Sequence, residues 1–179
     1  MDEIAKARTG EAIRSVAPRS PEIGRDVGRA VFRRGGSPDY IAVSNALKPE
    51  QSARVAAHEI GHVIDKTVDE IPISGINDEL RTIYNDLNNP QSYGKKFGPE
   101  QHRYKGDNIQ RELMAEAIRA YMTDPNYLKT VAPKTAARIR KYVNNHPRLK
   151  DIIQFNSLVG ADGIGLHELR VIGQEASSL

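Results

Sequence analysis

The chain contains no cysteine and no tryptophan. Without cysteine there are no disulfides and no thiolate ligands, so a bound metal must be held by imidazole and carboxylate groups. The compartment stays open, because a chain without thiols is indifferent to redox conditions. Long apolar runs are missing too. No stretch approaches the roughly 18 residues a membrane helix needs, so no membrane span is expected. The first residues, Met1-Asp2-Glu3-Ile4-Ala5-Lys6, lack the apolar core of a signal peptide. The expected location is cytoplasmic as synthesised, with any secretion or injection by a non-classical route. A strong charge of one sign is also absent: 26 basic residues against 23 acidic give +3. The basic residues form only small clusters, at Arg33-Arg34, Lys95-Lys96 and Arg138/Arg140/Lys141. None resembles a nucleic-acid module, so nucleic acid is not an expected partner. Internal repeats and low-complexity segments are lacking.

What is present is an ordinary globular composition, 39% hydrophobic and 27% charged over 179 residues. That length suits one domain with a real core. We expect a single domain, 1–179, with its core over about 38–158. Residues 1–37 would be an N-terminal helical extension and 160–179 a weakly patterned tail. The fold class is mainly α with a small β element, an α+β domain. Helices are expected over 3–17, where Ile4, Ala7, Ile13, Val16 and Ala17 supply an apolar side before Pro18, and in a short piece after Pro21. Arg33 to Pro38 is a turn. Tyr40-Ile41-Ala42-Val43 is short, β-prone and bounded by turn residues, so it is a strand. Further helices are expected over Pro49–Val68, 77–87, 108–123, 133–145 and 147–158. Residues 88–107 form a loop of about 20 residues, a length unusual in a compact domain and often functional.

The helix from Pro49 carries His58-Glu59-Ile60-Gly61-His62. Residues four apart share a helix face, so His58 and His62 can hold one metal ion while Glu59 reaches a water on it. Ala53, Ala56, Ala57, Ile60, Val63 and Ile64 make an apolar stripe. The two histidines point away from it, beside Val55, Arg54 and Asp65, leaving one face for a core and one for a cleft. Gly61 costs a helix about 1 kcal/mol relative to alanine. Close approach of another backbone would explain it. The pattern points to zinc-dependent hydrolysis, with a peptide bond as the first candidate.

A catalytic zinc takes three protein ligands, and the third should come from another helix. Glu112 and Glu116 lie on one face of the later helix. With Glu112 on the metal, Glu116 can accept a hydrogen bond from a ligand histidine. An acidic face pairing with Arg111 and Arg119 is the plainer alternative.

His58-Glu59-x-x-His62 followed by Glu112-x-x-x-Glu116 resembles the gluzincin pattern of thermolysin-like zinc metallopeptidases. His58 to Asp65, Tyr104, Glu112 to Ile118, Asp124-Pro125 and Ala132 to Thr135 resemble more closely the catalytic domain of anthrax lethal factor and related toxin-type peptidases. The likeness covers about residues 50–145. It implies a zincin-like fold, one zinc ion on His58, His62 and Glu112, Glu59 as general base, and a tyrosine upstream of Glu112 as oxyanion donor. Tyr104 is the matching tyrosine, but its spacing to Glu112 is one residue longer than in the family, so Tyr93 and His102 stay open. In zinc peptidases an edge strand near the motif helix binds the substrate backbone. Tyr40, Ile41, Ala42 and Val43 are the candidates here, with a plain core strand as the alternative. The implied function is a zinc endopeptidase of toxin or effector type. A protein or peptide would be its substrate and an immunity or inhibitor protein a further partner. The alternatives are a peptidase working in its own cell or with a phage, and a non-catalytic domain that retains the fold.

Overall fold

The computed structural model describes residues 1–90, 94–157 and the backbone of 169–170. It is an α+β domain in which a small sheet lies beside two long helices. The sheet holds β1 (Arg14–Val16), β2 (Gly28–Phe32) and β3 (Pro38–Ser44) in the order β1-β3-β2. β3 pairs parallel with β1 and antiparallel with β2. Tyr40–Val43 is therefore part of the middle strand and not of an edge. β2 pairs along it from Pro38 to Val43, and β1 covers its other side only from Ala42 to Ser44.

The long helices are α2 (Pro49–Thr67) and α4 (Asp107–Thr123). α2 opens on Pro49, whose missing N–H and fixed φ suit a first turn. Its buried residues include Ala56, Ala57, Ile60, Val63 and Ile64, while Ala53 is exposed near the start. Every residue of α4 from Glu112 to Met122 is buried, because the helix packs on α2 on one side and on other helices elsewhere. Gly61 sits at the crossing. A Cβ built there would lie 2.5 Å from the Ala115 carbonyl oxygen and 3.1 Å from Ala115 Cα, so the glycine does accommodate a close backbone approach.

α1 is shorter than the apolar spacing suggests, ending at Thr9. Gly10 takes a left-handed φ of 88° and its N–H bonds the Lys6 carbonyl, a helix stop made by glycine. Ile13 then lies immediately before β1 and Val16 within it. Residues after Pro21 form turns, not a helix. α3 (Asn77–Asn88) buries Leu80, Ile83 and Tyr84. A short 3-10 turn, Pro99–His102, breaks the long loop. α5 (Pro125–Val131), which the sequence reading lacks, follows α4 directly. Asp124 caps it by accepting the Tyr127 N–H at 3.1 Å.

α6 (Pro133–Val143) buries Ala136, Ile139 and Val143, three of the four apolar residues at helical spacing there, and leaves Tyr142 half-buried. The helix expected over 147–158 is absent: residues 147–152 are turns and Gln154–Phe155 form β4, paired with β5 (Leu169–Arg170). The Asn144 side chain explains the switch. It donates to the Phe155 carbonyl at 2.9 Å and accepts the Phe155 N–H at 2.8 Å, replacing helix bonds with a side-chain partner. Leu149, Ile153 and Phe155 are buried all the same. Among the described residues no helix is long and apolar enough to cross a membrane.

Candidate metal centre

α2 and α4 cross so that His58, His62 and Glu112 meet. His58 Nε2 is 3.1 Å from His62 Nε2 and 3.2 Å from Glu112 Oε2, and His62 Nε2 is 3.1 Å from Glu112 Oε1. A tetrahedral zinc site with bonds of about 2.0–2.1 Å has donor–donor edges of about 3.3–3.4 Å. The three donors are therefore spaced to hold one such ion after a shift of a few tenths of an ångström. They also form the one cluster of metal-ligating side chains found among the described residues.

The protonation pattern favours a cation between them. Glu116 Oε2 lies 2.7 Å from His58 Nδ1. The carboxylate can only accept, so His58 donates Nδ1–H and a neutral ring presents its lone pair at Nε2. That lone pair faces a carboxylate oxygen and another imidazole nitrogen. Only a second proton or a metal ion relieves the opposition. In the metal-free protein the proton does so. Burial alone would lower the His58 pKa, but hydrogen bonds to Glu112 and Glu116 and the charges of Glu116 and Glu59 outweigh it and carry it to about 10. Burial likewise opposes ionisation of Glu112 and Glu116, yet their bonds to the histidines, with Arg119 beside Glu116, hold both at about 2.

Arg119 Nε donates to Glu116 Oε1 at 2.7 Å, and Nη2 contacts the same oxygen. Arg111, the other basic residue considered for this acidic face, instead pairs with Asp65. Asp65 is buried and not on the open face of α2. Its Oδ1 accepts the Ile71 N–H at 2.8 Å, and Arg111 Nη2 donates to the Ile71 carbonyl at 3.2 Å.

The donors open into a cleft of about 820 Å³ whose walls include β2, the first half of α2 and the loop before α4. Glu59 lines it, and Glu59 Oε2 accepts the Ala30 N–H at 2.8 Å. Strand alternation explains the direction of that bond. The Val27 carbonyl accepts the Ser44 N–H, so Arg29 and Val31 face β3 while the backbone of Gly28 and Ala30 faces outward. β2, not β3, is the strand whose outer edge borders the cleft. Gly28 lets it lie on α2: a Cβ there would come within 2.2 Å of Val55 Cγ1.

Tyr104 lines the same cleft. Burial, the charges of Glu112, Glu59 and Asp26, and a hydrogen bond to Glu112 hold its phenol above the ordinary range, so it is a neutral donor. His102 also lines the cleft, with Nδ1 2.8 Å from the Tyr84 hydroxyl and its ring edge-on to Phe97 at 5.0 Å. Tyr93 lies outside the described residues. Three cleft residues were absent from the sequence reading of the site. Tyr84 has the spacing of a core residue on α3 and is indeed buried, yet it also lines the cleft. Ala30 acts through its backbone, which side-chain patterns do not reveal. Arg119 reads from sequence as a surface partner of the acidic face, but it is buried, and its place on the Glu112–Glu116 face is the signal for that.

The fold is thus an α+β domain whose two longest helices bring together a His-His-Glu donor set. No protein-family model, curated protein or solved structure matches the chain.

Proposed function

We propose that the protein is a zinc-dependent endopeptidase of gluzincin type. The observation that carries this is the convergence of His58, His62 and Glu112 at 3.1–3.2 Å, with Glu59 lining the same cleft. His58, His62 and Glu112 would hold one zinc ion, with Glu116 fixing the His58 ring. When bound, zinc acidifies water and polarises a carbonyl. The remaining roles fall to the chain. Glu59, anchored by the Ala30 N–H, accepts a proton from the attacking water at its carboxylate and returns it to the leaving amine. Tyr104 donates its hydroxyl hydrogen to the oxygen that becomes negative. The outward backbone of Gly28 and the outward carbonyl of Ala30 align an extended protein or peptide substrate by strand addition. The role falls to β2, whose outer edge borders the cleft, in place of the Tyr40–Val43 segment of the middle strand. The motif resemblance supports a toxin or effector setting, in which an immunity or inhibitor protein would cover the cleft.

The test is unbiased cleavage-site profiling of a proteome with zinc-loaded protein and a Glu59→Gln control. A defined cleavage motif, absent from the control, is the expected outcome. Zinc-loaded protein that cleaves nothing beyond the control refutes the peptidase assignment.

A further inference from the structure

The Arg119 guanidinium belongs to a side chain only 8% exposed. It lies on α4 three residues beyond Glu116 and seven beyond Glu112, which keeps it on the metal-facing side of the helix. Simple neutralisation of Glu116 would account for a cation nearby. It would not account for the way the donors are divided. Two N–H groups of one guanidinium converge on Glu116 Oε1, leaving Oε2 to take the His58 proton at 2.7 Å. A planar carboxylate held at one oxygen by two donors of a rigid fork loses the freedom to rotate. Oε2 is then aimed, and the imidazole edge it meets is fixed.

We propose that Arg119 is a positioning residue for the metal. By clamping Glu116 it holds His58 with its proton on Nδ1 and its lone pair on Nε2, and so sets the zinc affinity of the site. This rests on the proposed metal centre but not on peptide turnover. Without the clamp Glu116 can rotate, and the His58 ring loses the partner that fixes its tautomer. Loss of a partner that directly orients a ligand costs about 10–100-fold in affinity. Arg119 acts one bond further out, so the lower end, about tenfold, is expected for Arg119→Met.

The experiment measures the zinc dissociation constant by chelator competition in the full chain, for wild type, Arg119→Met and Arg119→Lys. The His58 Nδ1–H is followed in parallel by ¹⁵N-edited NMR of the zinc-loaded proteins. The expected result is zinc binding weakened about tenfold in Arg119→Met, with faster exchange of the Nδ1 proton, and partial recovery of both in Arg119→Lys. Unchanged affinity in folded Arg119→Met overturns the proposal. So does a loss of affinity with the His58 signal unaltered, since that marks a packing role. Should Arg119→Met fail to fold, Arg119→Gln keeps polarity and one donor group, and wild-type affinity and an unaltered His58 signal there are equally fatal. A protein that shows these shifts but cleaves no peptide loses the peptidase assignment and keeps this one. Turnover with no shift does the reverse.

Discussion

Replacing Gly61 by alanine sets two principles against each other. Helix propensity alone favours Ala by about 1 kcal/mol at an interior position. Packing opposes it. The added methyl would lie 2.5 Å from the Ala115 carbonyl oxygen, against ordinary contact near 3.4 Å. The neighbour is backbone of a buried helix, so it cannot swing aside as a side chain would. α2 and α4 must part by about 0.9 Å, or one must bend. Overpacking of this kind costs about 1–3 kcal/mol, and a backbone clash belongs at the upper end. After the propensity gain, a net loss of about 2 kcal/mol remains, equivalent to a melting temperature lower by about 4–8 °C for a chain this long. The same parting separates His58 and His62 on α2 from Glu112 on α4, so zinc affinity should fall as well. Thermal unfolding with and without zinc, together with chelator competition, reads both effects. A Gly61→Ala protein that melts higher than wild type and keeps its zinc affinity would refute the close approach as the reason for this glycine.

Other consequences are tested more directly. Glu59→Gln should retain zinc and fold but lose peptide cleavage by several orders of magnitude, which parallel metal analysis and turnover would show. Glu112→Ala, His58→Ala and His62→Ala should lose most bound zinc on dialysis, whereas Glu116→Ala should weaken it by about 10–100-fold. Tyr104→Phe should lower kcat by about 10²–10³ with zinc content and melting temperature unchanged; if Tyr84→Phe or His102→Ala is crippled in its place, the donor sits on that side of the cleft. The metal-free protein should be most stable between about pH 4.5 and 6.5. Glu112 and Glu116, lowered from 4.5 to about 2, contribute stability that is lost as pH falls through that interval. His58, raised from 6.5 to about 10, contributes stability that is lost as pH rises toward 10. Melting curves across pH in the presence of a chelator check both arms, and a flat profile from pH 6.5 to 10 would contradict the His58 environment.

The two long helices and the third strand were legible because each has a strong local signal. α2 has Pro49, an apolar stripe and a glycine where a backbone approaches, and α4 is periodic up to Asp124-Pro125. The errors have local causes too. Ile13 and Val16 fall at helical spacing from Ile4, but Gly10 in the left-handed region outweighs that pattern. Leu149, Ile152, Ile153 and Phe155 imitate an amphipathic helix, and the Asn144 side chain diverts them into turns and a strand. Asp124-Pro125 ends one helix and also caps and opens the next, a double use that a single boundary rule does not separate. β2 went unrecognised because Gly28-Arg29-Ala30 has little strand propensity. Its pairing with β3 and its seat on Val55 and Glu59 are tertiary, and so is the outcome that β3 is a middle strand.

The same distinction explains why the metal-binding residues were easier to find than their surroundings. His58 and His62 are matched by helix period alone, and Glu112 and Glu116 likewise, so each pair is a local property of one helix. Bringing the pairs together is not local. It requires a fixed distance and a fixed register between α2 and α4. The Gly61–Ala115 contact sets the distance. Register comes from Asp65 and Arg111, which join the end of α2 to the residue just before Glu112 and bind both backbone groups of Ile71 between them. A buried ion pair is weak evidence for stability but is well suited to specifying alignment, because breaking it leaves an uncompensated charge. A sliding motion of one helix past the other would have to break that pair. Distance and register are thus held by groups outside the donor set, and the donors meet at 3.1–3.2 Å with their geometry built by packing.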